Sequence, residues 1–433
     1  MATADVMEID TDTTTQEILL AATNHDIPTL RTLLRSPTGS ANVQDPDTGF
    51  TPLHAAISAC EPDEEASDPQ ETNGEGDAVH GAALDEDGAV QTVKFLFENG
   101  AIWNDLGFQD ETPGCLALRL GLRKVYDVVV EAGVRAELLL ARMDEFELLM
   151  GGDDEEDEDE GGEVEGFEVV QAEDGEELGQ ATLEPNGDGV KEDGDEVPQL
   201  VEVSADGVEE TLDVNSADYL ASALTFKDDR LLDADKNGVM MAWETDIMQK
   251  TADLLAPEEG LRVLNVGHGM GIVDGIFQSK NPGTHHIIEA HPAVIQRMKE
   301  EGWDKKPGVT VHEGRWQDIV PKLVEQNEVF DAIYFDTFAE DYAALKEFFS
   351  EYVIGLLDQE GRFGFFNGLG ADRQVCYDVY TKVVEMDLFE AGLDTEFQEI
   401  AIPDLQEKGE WEGVRRKYWA LDTYRMPTCK FVG

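Results

Sequence analysis

Leu261 to Val266 is a short apolar, β-branched run that ends in Gly267-His268-Gly269-Met270-Gly271, after which an apolar helical pattern begins. So short a run bounded by glycines predicts a strand, a tight turn and a helix. Glycine in such a turn permits positive φ and close approach of the backbone to a ligand, while the free N–H groups of the next helix favour electron-rich atoms. A second apolar run, His286 to Ile288, ends in Glu289, 22 residues beyond Gly267. An acid near that spacing can accept hydrogen bonds from ribose hydroxyls. The pair of elements constrains the chain to a layered α/β fold with an adenosine-type cofactor. It leaves hydride and methyl transfer both open, because NAD and S-adenosyl-L-methionine each carry that ribose.

Further strand candidates, Val309–His312, Asp331–Phe335 and Arg362–Phe366, alternate with helical stretches, which argues a parallel, doubly wound sheet. Two later extended runs, Glu399–Ile402 and Lys417–Thr423, are expected to form a terminal hairpin. A methyltransferase sheet ends in such a reversed pair, whereas a two-half dinucleotide fold needs a second βαβαβ set that is not visible.

The formal charge of −64 is unevenly placed: Asp153 to Glu160 is acidic throughout, Lys191 is the only basic residue between Gly151 and Asp213, and Glu61 to Val90 holds neither Lys nor Arg. Such blocks repel themselves and bury too little apolar surface to offset their ordering entropy, so 61–88 reads as an acidic insert and 149–213 as an acidic, disordered linker. This balance argues against binding of a nucleic-acid backbone and favours a basic protein partner. Cys60, Cys115, Cys376 and Cys429 show no C-x-x-C spacing, which implies reduced thiols and no zinc site. His285, His286 and His291 do not read as a metal cluster, since His285 and His286 point to opposite faces of a strand. With no signal-like N-terminus and no apolar run of spanning length, the expectation is an intracellular chain, cytoplasmic and nuclear, off the membrane, with a monomer as the default.

Upstream, Thr51-Pro52-Leu53-His54-Ala55-Ala56 matches the T-P-L-H-x-A start of an ankyrin repeat, and Thr112-Pro113-Gly114-Cys115-Leu116-Ala117 is a degenerate copy 61 residues later. Removing the 28 residues of 61–88 restores the period of about 33. Two to three all-α ankyrin-like repeats are therefore expected over 14–148, with His54 a structural histidine and the module a protein-docking surface.

From Tyr219 to Gly433 the chain resembles the fungal protein-arginine N5-methyltransferases, the type IV group related to guanidinoacetate N-methyltransferase. The resemblance rests on M-x-W-E-x-x-x-M at Met241–Met248, V-G-x-G-M-x-I at Val266–Ile272 and Y-x-D-T at Tyr334–Thr337. It implies a Rossmann-like, seven-stranded class I methyltransferase sheet over 214–433 that uses S-adenosyl-L-methionine. It also implies the site, residue by residue. Met248, the loop His268, Met270, Gly271, Ile272 and Val273 shaped by Gly267 and Gly269, then Glu289, Ala290, His291, Trp316 and Gln317, would contact the cofactor. Asp336 would face both cofactor and substrate. Glu244 would hold a guanidino group, with Asn367 near it, and Tyr219, or Phe226 in reserve, would be the aromatic lid. Arginine is always protonated and its lone pairs are delocalised, so carboxylates that pin the planar group and orient one nitrogen give these residue types a chemical reason. The implied activity is methylation of the arginine δ-nitrogen in proteins, ribosomal ones by resemblance. The competing readings are a small guanidino metabolite as acceptor, a non-catalytic adaptor for basic clients, and, least favoured, an NAD oxidoreductase. The two-glutamate hairpin and T-H-W loop of the usual arginine methyltransferases are not visible.

Overall fold

Val263, Leu264 and Val266 are buried along with Asn265, so both faces of their strand are covered, as expected when helices flank a parallel sheet. The computed structural model describes residues 13–61, 86–150, 216–227 and 229–433, with backbone alone for 144–150. Residues 62–85 of the expected acidic insert and most of the expected linker lie outside the described residues, while the last three positions of that insert, 86–88, open a helix. One compact unit comprises Met1–Arg142 and Asn215–Gly433. Of the second, Met143–Val214, the described part is the end of one helix.

The first unit begins with helices α1 (Thr13–Thr23), α2 (Ile27–Leu33), α3 (Pro52–Ser58), α4 (Glu86–Glu98), α5 (Pro113–Arg119) and α6 (Arg123–Met150). Next come α7 (Ser216–Ala221) and a small antiparallel sheet of β1 (Thr225–Phe226), β2 (Arg230–Leu232) and β3 (Gly238–Met241). The alternating part follows as α8 (Thr245–Leu255), β4 (Arg262–Val266), α9 (Ile272–Ser279), β5 (Thr284–Glu289), α10 (Pro292–Glu300), β6 (Val309–Glu313), α11 (Trp316–Glu325) and β7 (Phe330–Phe335). It closes with α12 (Tyr342–Glu347), a π-helical turn at Phe348–Val353, α13 (Ile354–Leu356), β8 (Leu357–Phe365), α14 (Gln374–Glu390), β9 (Leu393–Ala401) and β10 (Thr423–Phe431).

The main sheet has the order β6-β5-β4-β7-β8-β10-β9, with β4 to β8 parallel and β10 antiparallel to both neighbours. This is the seven-stranded class I methyltransferase arrangement. The chain reverses direction of strand addition at β4 and β7, so their carboxyl ends flank a crevice where ligands bind in such folds. One strand is not where the sequence puts it. The last strand is Thr423–Phe431 rather than Lys417–Thr423. Tyr418, Trp419 and Leu421 instead pack into an aromatic cluster with Trp243 and Trp411, while Tyr424, Met426 and Cys429 supply the buried positions of β10. Pro427 lies inside β10, and the ladder to β8 is limited to Cys429 opposite Phe363. A proline donates no ladder hydrogen bond, so Pro427 weakens the strand signal over Thr423–Phe431.

The helical part shows why its short motif has that composition. Thr51 caps α3, Pro52 occupies the first helical turn, and His54 Nδ1 accepts from the Thr51 N–H at 3.2 Å. The proton is thereby assigned to Nε2, which donates to the Glu111 carbonyl at 2.8 Å and ties one helix pair to the start of the next. Burial keeps this ring below the usual histidine range. Thr112 and Pro113 repeat the cap without the histidine. None of the four cysteines is disulfide-bonded, and among the described residues no helix is long and apolar enough to cross a membrane.

Helix α14 belongs to two cores at once. Its Val375, Cys376, Val379 and Val383 join the apolar cluster of α1–α6, and its Val384 and Leu388 join the cluster beneath β7 and β8. The fit is close at Gly133 on α6, where an added Cβ would lie 2.7 Å from Val379 Cγ2 and 2.9 Å from the Trp103 ring. Gly133→Ala would gain about 1 kcal/mol of helix propensity. Overpacking against a stiff valine and an indole costs about 1–3 kcal/mol and outweighs it. The variant is expected to show a lower urea midpoint for the whole unit in one transition; an unchanged or higher midpoint would mean that the two parts yield freely at this contact.

Candidate functional site

A cleft opens at the carboxyl ends of β4, β5 and β7. Its floor is the glycine turn. Gly267, Gly269 and Gly271 have φ of 95°, 55° and 74°, and a Cβ on Gly267 would sit 1.9 Å from the Asp336 carbonyl oxygen. Only glycine fits there. Glu289, at the end of β5, accepts the N–H groups of His268 at 2.9 Å, Gly269 at 3.3 Å and His291 at 2.7 Å. A carboxylate has about four acceptor sites, so this acid clamps the loop and keeps capacity for about one further donor.

Gly267, Gly269, Glu289, Ala290, Trp316, Gln317, Asp336 and Tyr219 all line the cleft. The other sequence candidates lie around it. Val273 and Met248 are fully buried in the core, and Ile272 starts α9. The methionine on the cleft is Met240, whose Sδ receives the Met270 N–H at 3.2 Å. Sequence reasoning passed over Met240, which immediately precedes the M-x-W-E-x-x-x-M motif and lies on strand β3, where the motif gives no sign of which methionine faces a ligand. The His268 ring turns inward to Asp274 at 2.6 Å, and Asp274 also meets His285 at 2.8 Å and Asn265 Nδ2 at 2.9 Å. Burial alone would raise the Asp274 carboxyl, but the bonds from both histidines outweigh it and hold the group at about 2. The His291 ring faces the Tyr219 carbonyl at 3.1 Å and caps α10.

Tyr219 closes one side, its ring 4.8 Å from His291 and 4.9 Å from Phe338, while Phe226 lies under Arg297 at 4.7 Å. Trp316 Nε1 donates to both Glu340 oxygens at 3.0 Å and Gln317 Nε2 to one at 2.9 Å. Glu340, on the loop after β7, had no motif to announce it.

Beside the cleft lie the two other acids. Glu244, at the start of α8, is buried and accepts the Met241 N–H at 3.0 Å and the Tyr418 hydroxyl. Asp336 follows β7; its N–H donates to the Val266 carbonyl at 2.8 Å, and its Oδ2 is shielded from solvent with no hydrogen-bond partner. The Tyr334 hydroxyl and Asn367 Oδ1 are orphaned in the same way. Asn367 is oriented by Nδ2 contacts to the Arg425 carbonyl at 3.2 Å and the Tyr377 hydroxyl at 3.3 Å. Shielded acceptors without partners are costly unless a ligand supplies donors. Burial, then the charge of Asp336, pushes Glu244 well above the carboxylate range; burial, then the charge of Asp274, does the same to Asp336. A planar cation with several N–H groups would relieve both. The glycine floor, the one remaining acceptor site of Glu289 and the Trp316–Gln317 wall fit an adenosine-bearing group.

The family model for guanidinoacetate N-methyltransferase matches residues 209–423. The protein arginine N-methyltransferase 2 of Aspergillus fumigatus is 56% identical over 436 residues, 97% of each chain. That of Emericella nidulans is 56% identical over 437 residues, 99% of each chain, and that of Neurospora crassa 46% over 435 residues, 96% of each.

Because Glu244 and Asp336 hold their protons to higher pH in the fold than in the unfolded chain, the stability they contribute is full below the unfolded carboxylate pKa and is lost as pH rises through the raised folded values. Glu244→Gln, which cannot ionise, is expected to melt higher than the parent at pH 8, with the gap narrowing at pH 5.5. Thermal melts at both pH values check this, and a variant that melts lower at pH 8 would mean that the bonds from Met241 and Tyr418 to the carboxylate outweigh its burial.

Proposed function

Since the chain belongs to the protein arginine N-methyltransferase 2 family, whose transfer depends on S-adenosyl-L-methionine, we propose that it methylates the δ-nitrogen of arginine residues in basic proteins, ribosomal proteins foremost. The observation that carries the reading is the pair Glu244 and Asp336: two solvent-shielded carboxylates, the first held by neutral donors and the second, which lines the cleft, with an orphaned oxygen.

When bound, S-adenosyl-L-methionine supplies an electrophilic methyl group. Gly267, Gly269, Glu289, Ala290, Trp316 and Gln317 would hold it, with Tyr219 and Met240 closing the wall. Glu244 and Asp336 take the terminal guanidinium nitrogens in charge-assisted hydrogen bonds, Asn367 Oδ1 accepts a further N–H, and the chain-bearing nitrogen is left outside the clamp. Pinning the group in a water-poor site lowers the entropic and electrostatic parts of the barrier. One oxygen of Asp336 holds a terminal nitrogen while its Oδ2 meets the chain-bearing N–H from the side, so the proton that the δ-nitrogen loses as it gains its methyl passes to Asp336 Oδ2. The raised proton affinity of that carboxyl suits a base acting near neutral pH. The helical part we take to be ankyrin-like repeats that dock the substrate, and its acidic surroundings suit a basic client in cytoplasm and nucleus.

The chemistry is checked by incubating the protein with methyl-labelled S-adenosyl-L-methionine and an extract of cells that lack it, then hydrolysing the labelled protein. Label is expected in δ-methylarginine. Recovery of ω-methylarginine alone overturns the nitrogen assignment, and label confined to small molecules overturns the protein acceptor. Asp336→Asn is expected to lower kcat by about 100-fold or more while the fold persists, since both a positioning contact and the proton acceptor are lost; turnover like that of the parent removes Asp336 from the mechanism.

A further inference from the structure

Tyr126 lies in α6, in the helical part, yet its hydroxyl donates to Asp378 Oδ2 on α14 at 2.5 Å. The second oxygen of Asp378 meets Arg425 of β10 at 2.7 Å and accepts Gln374 Nε2 at 2.8 Å. Arg425 is thus gripped at both ends by consecutive residues of α14: its guanidinium by Asp378, and its N–H by the Tyr377 hydroxyl at 2.8 Å. The same arginine's carbonyl and the same tyrosine's hydroxyl receive Asn367 Nδ2, and the Asn367 N–H is held by Tyr424, the neighbour of Arg425. A continuous path of hydrogen bonds therefore runs from the repeat-like helices to the orphaned oxygen of Asn367. Tyr126 is almost fully buried.

We propose that Tyr126 is a positioning residue for methyl transfer, acting through Asp378 and Arg425 to hold Asn367 against the guanidinium. The helical part is then a built-in component of the acceptor site as well as a docking surface. This rests on the reading of Asn367 as a guanidinium contact. A fixed acceptor for a planar group tolerates little displacement, and each bond on the path ends on a charged or shared partner, so losing one end loosens the next.

The test is Tyr126→Phe in the full chain, which keeps the ring and removes the donor. Hydrogen–deuterium exchange is expected to quicken about 5- to 10-fold at the Asn367 and Arg425 amides, both of which donate to tyrosine hydroxyls. The kcat for the protein acceptor should fall about 5- to 10-fold, while the dissociation constant for S-adenosyl-L-methionine, measured by calorimetry, stays within about twofold. Unchanged exchange, unchanged kcat, or a parallel loss of donor binding each overturns the proposal. Should Tyr126→Phe not fold, Asp378→Asn, which weakens the grip on Arg425 from within α14, carries the same expectations. The exchange measurement needs no acceptor, so it decides the path even if the parent proves to methylate something other than protein arginine; that result would sink the guanidinium reading instead.

Discussion

The contact on which the site depends is the one between the first glycine of the turn and the end of β7. The Asp336 carbonyl stands where any side chain on residue 267 would begin, and the Asp336 N–H donates to the Val266 carbonyl. The loop that floors the cleft and the acid proposed to face the substrate are therefore in backbone contact. The distance between the glycine turn and the Asp336 carboxylate is set by two peptide units, not by flexible side chains. Reaction geometry of the kind proposed needs that tolerance.

A second layer of polar contacts keeps the turn in place. Glu289 gathers three N–H groups from above, and Asp274 gathers His268, His285 and Asn265 from below. A carboxylate shut away with its pKa depressed to about 2 is stabilising only while it is ionised and partnered. Its contribution is present above the ordinary carboxylate pKa and lost as pH falls through the depressed value. Asp274 has thus the opposite pH dependence to Glu244 and Asp336, though all lie beside one cleft. The difference follows the partners: Asp274 has two imidazoles beside it, Glu244 has only neutral donors, and Asp336 Oδ2 has none.

Much of this was legible in the sequence because it is local. A β-branched run ending in glycines, an acid 22 residues on, and alternating strand and helix patterns each need only neighbouring residues to be read. What was hidden depends on contacts distant in sequence. Pro427 disguised β10, since a proline is admissible there only because the ladder to β8 is so short. Met240 rather than Met248 faces the cleft because β3 of the small sheet lies over it, a placement no periodicity encodes. Tyr418 and Glu340 reach the site from an aromatic loop and a loop after β7, and the rings of His268 and His291 turn to partners inside the fold. Side-chain direction at a turn is decided by those partners, not by the turn.

Helix α14 presents Val375, Val379 and Val383 to the helical part and Val384 and Leu388 to the sheet. A segment that serves as wall to two cores removes the freedom to exchange one of them. Grafting a different repeat array onto this catalytic half, as in a retargeted enzyme, would expose a valine stripe unless the newcomer carried a matching face with a glycine where Gly133 now meets Val379. Change in the helical part of such a chain is thereby steered to its first helices and their loops, away from α5 and α6, whose shape the sheet-bearing half has already imposed.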